Sequence, residues 1–145
     1  MSLTPFERII LEALLAGELD DLAVLRAQAS AATVTKREMT GVGFFTTFSV
    51  PDHCSRLSRS KGQTWLADVG ADLVGVEHGV GFVLFLRDGQ IAVLEGFTYG
   101  ESPWPAVPEL LHWRYLSRER GSATLRETSV RALDQVQSGL HGRHP

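Results

Sequence analysis

Cysteine is almost absent from this sequence, because Cys54 is the only one among 145 residues. A single cysteine excludes an internal disulfide and fits a reducing compartment. The sequence also lacks an apolar run of the roughly 18 residues that a membrane-spanning helix needs. Its first residues lack the basic segment and apolar core of a signal peptide. We therefore expect a cytoplasmic protein that does not associate with a membrane.

The sequence also lacks a net positive charge, a recognisable metal-ligand spacing and a phosphate-binding loop. The net charge is −3, from 14 basic and 17 acidic residues, which argues against wrapping nucleic acid. His53, Cys54, Glu77 and His78 follow no known metal-ligand spacing, and neighbours such as His53 and Cys54 rarely face each other as base and nucleophile. The glycine-rich residues 75–81 form neither a phosphate loop nor a dinucleotide motif. We expect no metal, no cofactor and no nucleic-acid partner.

Two helices are predicted at the N-terminus. Thr4, Pro5 and Glu7 combine an N-cap hydroxyl, a first-turn proline and a carboxylate that can reach back to the cap. The apolar residues behind them recur at helical spacing as far as Gly17. Asp20 is the predicted N-cap of a second, shorter helix that turns back on the first.

The middle of the chain predicts β-strands. Residues 42–50 alternate with the two-residue period of a strand, and the mixed apolar residues 65–76 predict one or two short strands. The strongest local pattern is a hairpin in which Asp88-Gly89 joins two apolar runs, residues 80–87 and 90–97. A two-residue Asp-Gly turn between such runs is a strong hairpin signal, because the turn needs positive φ at both positions.

Regular pairing from this turn predicts which hairpin residues face each other. Both faces of the hairpin are then apolar, which predicts a central position in the sheet. The N-terminal helices would cover one side, and C-terminal chain or a second subunit would cover the other. The predicted pairs are Leu86 with Ile91, Leu84 with Val93, and Phe82 with Glu95; the predicted faces are Val80, Phe82, Leu84, Leu86, Ile91, Val93 and Phe97 on one side, and Val83, Phe85, Ala92 and Leu94 on the other.

These patterns together predict one α+β domain over residues 1–145, with an N-terminal helical hairpin packed on a mainly antiparallel sheet. The sheet is expected to have about four to six strands, with the Asp-Gly β-hairpin at its centre. Residues 110–118 are ambiguous between helix and strand, and the alternation of Leu111, Trp113 and Tyr115 favours a strand. Residues 129–140 predict a final short helix, and residues 141–145 are expected to fray.

Glu95, His78 and Tyr99 are the candidate catalytic residues if the protein is an enzyme. A carboxylate on an apolar sheet face has to be paired, hydrogen-bonded or protonated, and such groups are enriched at functional sites. His78 precedes the hairpin and Tyr99 follows it, so the three groups could meet at its end and serve acid–base catalysis. The alternatives are a structural hydrogen-bond network, or a Glu95 placed where the sheet reaches solvent.

Phe97, Tyr99 and Trp104 are candidate binding residues. Residues 101–108 contain three prolines, and rigid aromatic side chains beside such a loop are typical of binding surfaces. The alternative for Trp104 is that it folds back and covers the core.

The sequence resembles a family of small bacterial proteins that share a strand of pattern TGxGFxTxF and a hairpin and loop of pattern GFxLFxxxGxIxxLEGxxYxxxxWP. Residues 40–48 match the first pattern and residues 81–105 match the second. The family has no assigned activity. Some small bacterial proteins of this general kind act as immunity or accessory proteins, so the resemblance implies a protein-binding role.

Two functions remain open. We expect a non-catalytic protein-binding domain whose partner is another protein or a second copy of the chain in a homodimer. No catalytic triad, metal set or phosphate loop is present in the sequence to favour catalysis. The alternative is a small-molecule-binding protein or a modest hydrolase that uses Glu95, His78 and Tyr99 at the end of the hairpin.

Overall fold

Three helices and one antiparallel sheet make up the computed structural model, which describes residues 1–119 and 121–142. Within those residues the sheet has seven strands in the lateral order β1-β2-β5-β4-β3-β6-β7. This arrangement confirms the predicted α+β fold with its antiparallel sheet and central hairpin. The elements are α1 (Pro5–Leu15), α2 (Asp20–Ala31), β1 (Thr33–Met39), β2 (Gly43–Ser49), β3 (Gln63–Leu73), β4 (Val80–Arg87), β5 (Gln90–Thr98), β6 (Leu110–Arg118), β7 (Leu125–Thr128) and α3 (Leu133–Leu140).

The sheet is larger than the predicted four to six strands because both edge strands escaped prediction. β1 reads TVTKREM and buries only Val34, and β7 has four residues, none of them buried. Charged, exposed edge strands lack apolar alternation, and such edges protect a sheet from pairing with another chain. The ambiguous residues 110–118 form strand β6, as their alternation favours.

The N-terminal helices form largely as predicted. The Thr4 hydroxyl accepts the Glu7 N–H at 3.1 Å, and the Glu7 carboxylate accepts the Thr4 N–H at 2.8 Å, which completes the capping box. The predicted N-cap role of Asp20 is wrong: Asp20 is the first residue of α2, and the cap position belongs to Leu19, which makes no side-chain capping bond.

Side chains from distant parts of the chain hold the C-terminal end of α1. The Tyr115 hydroxyl donates to the Ala13 carbonyl at 2.6 Å. Arg131 donates to the carbonyls of Leu14 and Ala16 at 2.7 and 2.5 Å, and Asp68 accepts from the same guanidinium at 2.8 and 2.9 Å. The last carbonyls of a helix have no partner within the helix, so these contacts fix α1 against the sheet.

The hairpin turn forms as predicted, but a bulge changes the pairing beyond it. Asp88 and Gly89 both have positive φ, at 49° and 78°, and Leu86 pairs with Ile91. The register then shifts by one residue, so the predicted pairs of Leu84 with Val93 and of Phe82 with Glu95 are wrong. The observed pairs are Leu84 with Leu94, Val83 with Glu95, Phe82 with Gly96 and Phe85 with Val93.

This bulge decides which hairpin residues enter the core. It turns Leu94 toward the helices, where the side chain is fully buried, and it turns Val93 and Phe97 to the opposite face with Val83. Without the shift, the Glu95 carboxylate would point into an apolar core, and burying an unpaired charge there is costly. The extra residue in β5 therefore removes a carboxylate from the core and replaces it with leucine.

All three helices lie on the same side of the sheet. α3 forms within the predicted residues 129–140. Its buried residues Val136 and Leu140 belong to the same core as α1 and α2, and the Gln137 side chain donates to the Asp21 carboxylate of α2 at 3.0 Å. The predicted cover of the second face by C-terminal chain is therefore wrong for the described part of α3. Of the predicted frayed end, residues 143–145 lie outside the described residues.

Candidate functional site

The sheet face opposite the helices is apolar at its centre and partly exposed; we call it the open face. Cross-strand partners share a face of a sheet. The residues of the open face therefore follow from three strand pairings: β2 with β5, β5 with β4, and β4 with β3. No element within residues 1–119 and 121–142 packs over it. Its central apolar residues are half-buried or exposed, whereas the core residues on the helix side are buried. These central residues are Phe45, Trp65, Val83, Phe85, Val93 and Phe97.

Glu95 lies in the middle of the open face. Its cross-strand partners are Phe45 on β2 and Val83 on β4. In the described part of the chain its carboxylate has neither a hydrogen bond nor an ion pair, and burial among these side chains raises its pKa. The prediction that Glu95 occupies an apolar face is confirmed, although the face is the one opposite to that expected.

Tyr99 and Phe97 lie over a floor of glycines at one end of the open face. A Cβ on Gly81 would come within 2.6 Å of the Tyr99 hydroxyl and 2.8 Å of the Phe97 ring, so a glycine at this position lets both side chains approach the sheet closely. The two rings meet edge to face at 5.6 Å. Burial raises the pKa of the Tyr99 hydroxyl, and the nearby Arg114 partly offsets that effect. Aromatic rings over strand glycines protect the backbone and stiffen the surface.

The three candidate catalytic residues do not converge. Glu95 and Tyr99 are four residues apart near the end of β5, which separates their backbones by about 13 Å along a strand. The His78 side chain is 64% exposed, and its charged neighbour is Glu77 at 3.8 Å. His78 does lie beside Gly100, so it is near the loop that follows Tyr99 but not near Glu95.

Trp104 lies on the other side of the sheet from Phe97 and Tyr99. Its side chain is 8% exposed and packs edge-on against three core rings: Phe44 at 5.2 Å, Phe6 at 6.1 Å and Phe82 at 6.5 Å. Its backbone N–H donates to the Gly41 carbonyl at 2.8 Å. The three predicted binding residues therefore belong to two separate surfaces, and Trp104 covers the core.

A cavity of about 470 Å³ opens beside Trp104, between the start of α1, strands β1 and β2, and the proline-rich loop; we call it the Trp104 cavity. Its walls are mostly apolar, and its charged residues are Glu7 and Arg37. The lining residues are Thr4, Pro5, Phe6, Glu7, Arg37, Met39, Phe44, Trp104, Ala106, Val107 and Pro108.

Glu7 and Arg37 form a partly buried network in the wall of this cavity. The Arg37 guanidinium donates to both Glu7 oxygens, at 2.6 and 3.0 Å, and the Thr46 hydroxyl donates to the same carboxylate. Burial alone would raise the pKa of Glu7, but the hydrogen bonds from Arg37, the Thr4 N–H and Thr46, together with the positive charge of Arg37, lower it below its usual value. The network thus holds an ionised carboxylate in the core.

Metal-binding groups are not assembled in the described residues. No set of three histidine, cysteine, aspartate or glutamate side chains comes together there to hold a metal ion. Cys54 is a half-buried free cysteine, and His53 next to it is exposed. No described helix is long and apolar enough to cross a membrane.

Comparison with known proteins gives no relative: no family model, curated protein or solved structure matches this chain. The resemblance to small bacterial proteins therefore stays a prediction, and the functional argument has to come from the chain's own surfaces.

The sequence did not reveal the second surface, the Trp104 cavity. The sequence predicts Glu7 as a capping residue, but its partner Arg37 is 30 positions away and Thr46 is 39 away. The sequence signal is an arginine inside a largely exposed edge strand, and it does not identify the carboxylate that this arginine meets.

Proposed function

We propose that this chain is a non-catalytic protein-binding domain that contacts its partner through the open face. The observation that carries the proposal is the mostly apolar centre, with Glu95 as its one carboxylate, of a sheet face that no described element covers. An antiparallel sheet with one face on the core and the other in water alternates apolar and polar residues along its strands. Here four half-buried residues, Val83, Phe85, Val93 and Phe97, lie on the side away from the core.

The open face has the size that a specific interface needs. Seven strands have six spacings of about 4.8 Å, and the eight residues of β4 span about 26 Å, so the face covers at most about 750 Å², since β7 has only four residues. A specific interface typically buries about 800 Å² on each partner.

The distribution of charge also suits an interface. At the β1 edge, Lys36 pairs with Glu38 at 2.7 Å. Toward the other edge, Arg114 contacts Asp72 and lies 3.6 Å from Glu127. An apolar centre inside a charged rim is the usual anatomy of a protein–protein contact.

The alternative acid–base function has less support. Glu95, His78 and Tyr99 would have to act on one substrate, yet Glu95 lies among apolar side chains and the His78 side chain is 64% exposed beside Gly100, beyond the end of β5. A general acid or base has to reach its proton within hydrogen-bond distance. A flat face with one central carboxylate is better suited to recognition than to proton transfer.

A charge placed at the centre of the open face tests the proposal. Val83→Lys should abolish association, whereas Val130→Lys adds the same side chain at an exposed valine outside the sheet and should leave association intact. Sedimentation velocity over a wide range of concentration measures self-association. Quantitative affinity purification with the wild type and the two variants identifies any other partner, which should be retained by the wild type and by Val130→Lys but not by Val83→Lys. Circular dichroism confirms that each variant is folded.

Two results are informative about the partner. Self-association that Val83→Lys removes makes a second copy the partner, and a retained foreign protein that only Val83→Lys loses makes that protein the partner. If no self-association and no Val83-dependent partner are found, the binding-domain proposal is wrong.

A further inference from the structure

We propose that the Trp104 cavity binds a small, uncharged, apolar molecule. This inference does not depend on the function proposed for the open face, because the cavity lies on the helix side of the sheet. Its volume of about 470 Å³ lies within the range of small-ligand sites, about 300–1,000 Å³.

The walls of the cavity are held in place without a ligand. The loop that carries Trp104 contains Pro103, Pro105 and Pro108, whose φ angles are fixed by their rings. Hydrogen bonds tie this loop at both ends, from the Trp104 N–H to Gly41 at 2.8 Å and from the Val74 N–H to Glu109 at 3.0 Å. A rigid site loses little conformational entropy when it binds, which favours affinity for a small molecule.

Aromatic and flexible apolar side chains line the interior. Trp104 and Phe44 contact each other edge to face at 5.2 Å and form one wall, with Phe6 beside them. Met39 and Val107 also line the cavity and are largely exposed, so they stand at its mouth. Methionine adapts its shape to ligands and contacts aromatic rings favourably.

The charged pair in the wall argues against a charged ligand. Both Glu7 oxygens already accept hydrogen bonds, and Arg37 already donates two to Glu7 and one to the Ser2 carbonyl at 3.1 Å. The two charges neutralise each other. A charged ligand would lose its hydration without gaining an unpaired counter-ion, which is costly, so the cavity selects an uncharged body.

Met39 gives a direct reporter for binding. The sequence has 2 methionines, Met1 and Met39, and of these Met39 lines the cavity. In protein labelled with ¹³C at the methionine methyl groups, Met39→Leu assigns the Met39 signal. We use 2-naphthol as an uncharged aromatic probe and 2-naphthoate as its charged counterpart. We expect a saturable shift of the Met39 methyl with 2-naphthol, and binding of 2-naphthoate at least about tenfold weaker.

A matched pair of variants locates the binding. Val107→Trp fills the mouth of the cavity, and Val130→Trp makes the same change at an equally exposed valine, 74% against 78% exposed. We expect Val107→Trp to weaken 2-naphthol binding at least about tenfold and Val130→Trp to leave it unchanged, because only the first position lines the cavity. Ala106→Trp, in the same wall, replaces Val107→Trp if that variant does not fold.

Several outcomes would overturn the inference. The first is the absence of a saturable shift of the Met39 methyl with 2-naphthol, and the second is binding of 2-naphthoate as tight as that of 2-naphthol. Binding that survives Val107→Trp but is lost in Val83→Lys would place the probe on the open face. Loss of self-association in Val107→Trp would make a second copy, and not a small molecule, the occupant of the cavity.

Discussion

Replacing Glu7 by glutamine tests the buried network that joins α1 to the sheet. Glu7 is 3% exposed. Its carboxylate accepts the Thr4 N–H at 2.8 Å, the Arg37 guanidinium at 2.6 and 3.0 Å, and the Thr46 hydroxyl. Glutamine keeps the size of the side chain but has one acceptor oxygen. Because Arg37 donates to both oxygens, the new amide NH₂ faces an arginine donor in either orientation.

The expected cost follows from these lost bonds. A hydrogen bond to a charged group contributes about 1.5–3 kcal/mol, and removing one partner of a buried ion pair costs about 3–5 kcal/mol. The Arg37 side chain is 25% exposed and can turn toward water, which lowers the penalty. We therefore expect Glu7→Gln to lower the free energy of unfolding by about 2–4 kcal/mol at neutral pH.

The loss should depend on pH in a defined direction. The pKa of Glu7 is lowered in the folded protein, because the hydrogen bonds it accepts outweigh the effect of its burial. A carboxyl of this kind stabilises the fold above its unfolded pKa of about 4.3, and that contribution is lost as pH falls through the folded value. The difference between wild type and Glu7→Gln should therefore shrink as pH falls below about 4.

Urea unfolding followed by circular dichroism measures both effects. Glu12→Gln, at an exposed position of the same helix, is the control and should change the free energy of unfolding by less than about 0.5 kcal/mol. A loss below about 1 kcal/mol for Glu7→Gln at neutral pH, or an equally large loss in acid, would refute the argument for a buried ionised carboxylate.

Three further predictions concern the core and the open face. Gln28→Leu removes the acceptor of the Ile91 N–H at 2.9 Å and one of two donors to the Gly89 carbonyl, which keeps its bond from the Leu57 N–H at 3.0 Å, so urea unfolding should show a loss of about 1–3 kcal/mol. Gly96→Ala places a Cβ 2.4 Å from the buried Phe44 ring, whereas Gly81→Ala places one nearest to the half-exposed Tyr99. Thermal melting should therefore show a larger fall in melting temperature for Gly96→Ala than for Gly81→Ala. Glu95→Gln should stabilise the fold at neutral pH and not in acid. The pKa of Glu95 is raised in the folded protein, so the stability of the wild type falls as pH rises through that pKa. Equal stability of the two proteins at neutral pH, measured by urea unfolding, would contradict this.

Local patterns predicted the parts of the fold that depend on neighbouring residues. The capping box at Thr4 and Glu7 and the turn at Asp88-Gly89 each lie within four residues, so the sequence carries their full signal. The β5 bulge escaped prediction because it depends on which β5 side chain packs in the core between the sheet and the helices. Leu94 is fully buried in that core, and no spacing within the hairpin indicates that preference.

The candidate site was predicted only in part for the same reason. Phe97 and Tyr99 follow directly from the hairpin, and the structure places them together on the open face. Trp104 is separated from them by a loop that crosses to the other side of the sheet, where it meets Phe6 from α1. The direction of that loop is set by tertiary contacts such as the bond to Gly41, which no local pattern contains.

The position of Glu95 is consistent with an interface that forms and separates. A large exposed apolar patch promotes aggregation, and a charge within it opposes unselective association. A partner that covers Glu95 must either supply a cation or hydrogen-bond donors to its carboxylate, or accept the protonated acid. In the first case association weakens as pH falls through the pKa of Glu95, and in the second it strengthens, because desolvation favours the neutral form. The pH dependence of association therefore reports the chemistry of the partner at the centre of the open face. If Glu95→Gln associates with no dependence on pH, the dependence seen in the wild type is due to the Glu95 carboxylate.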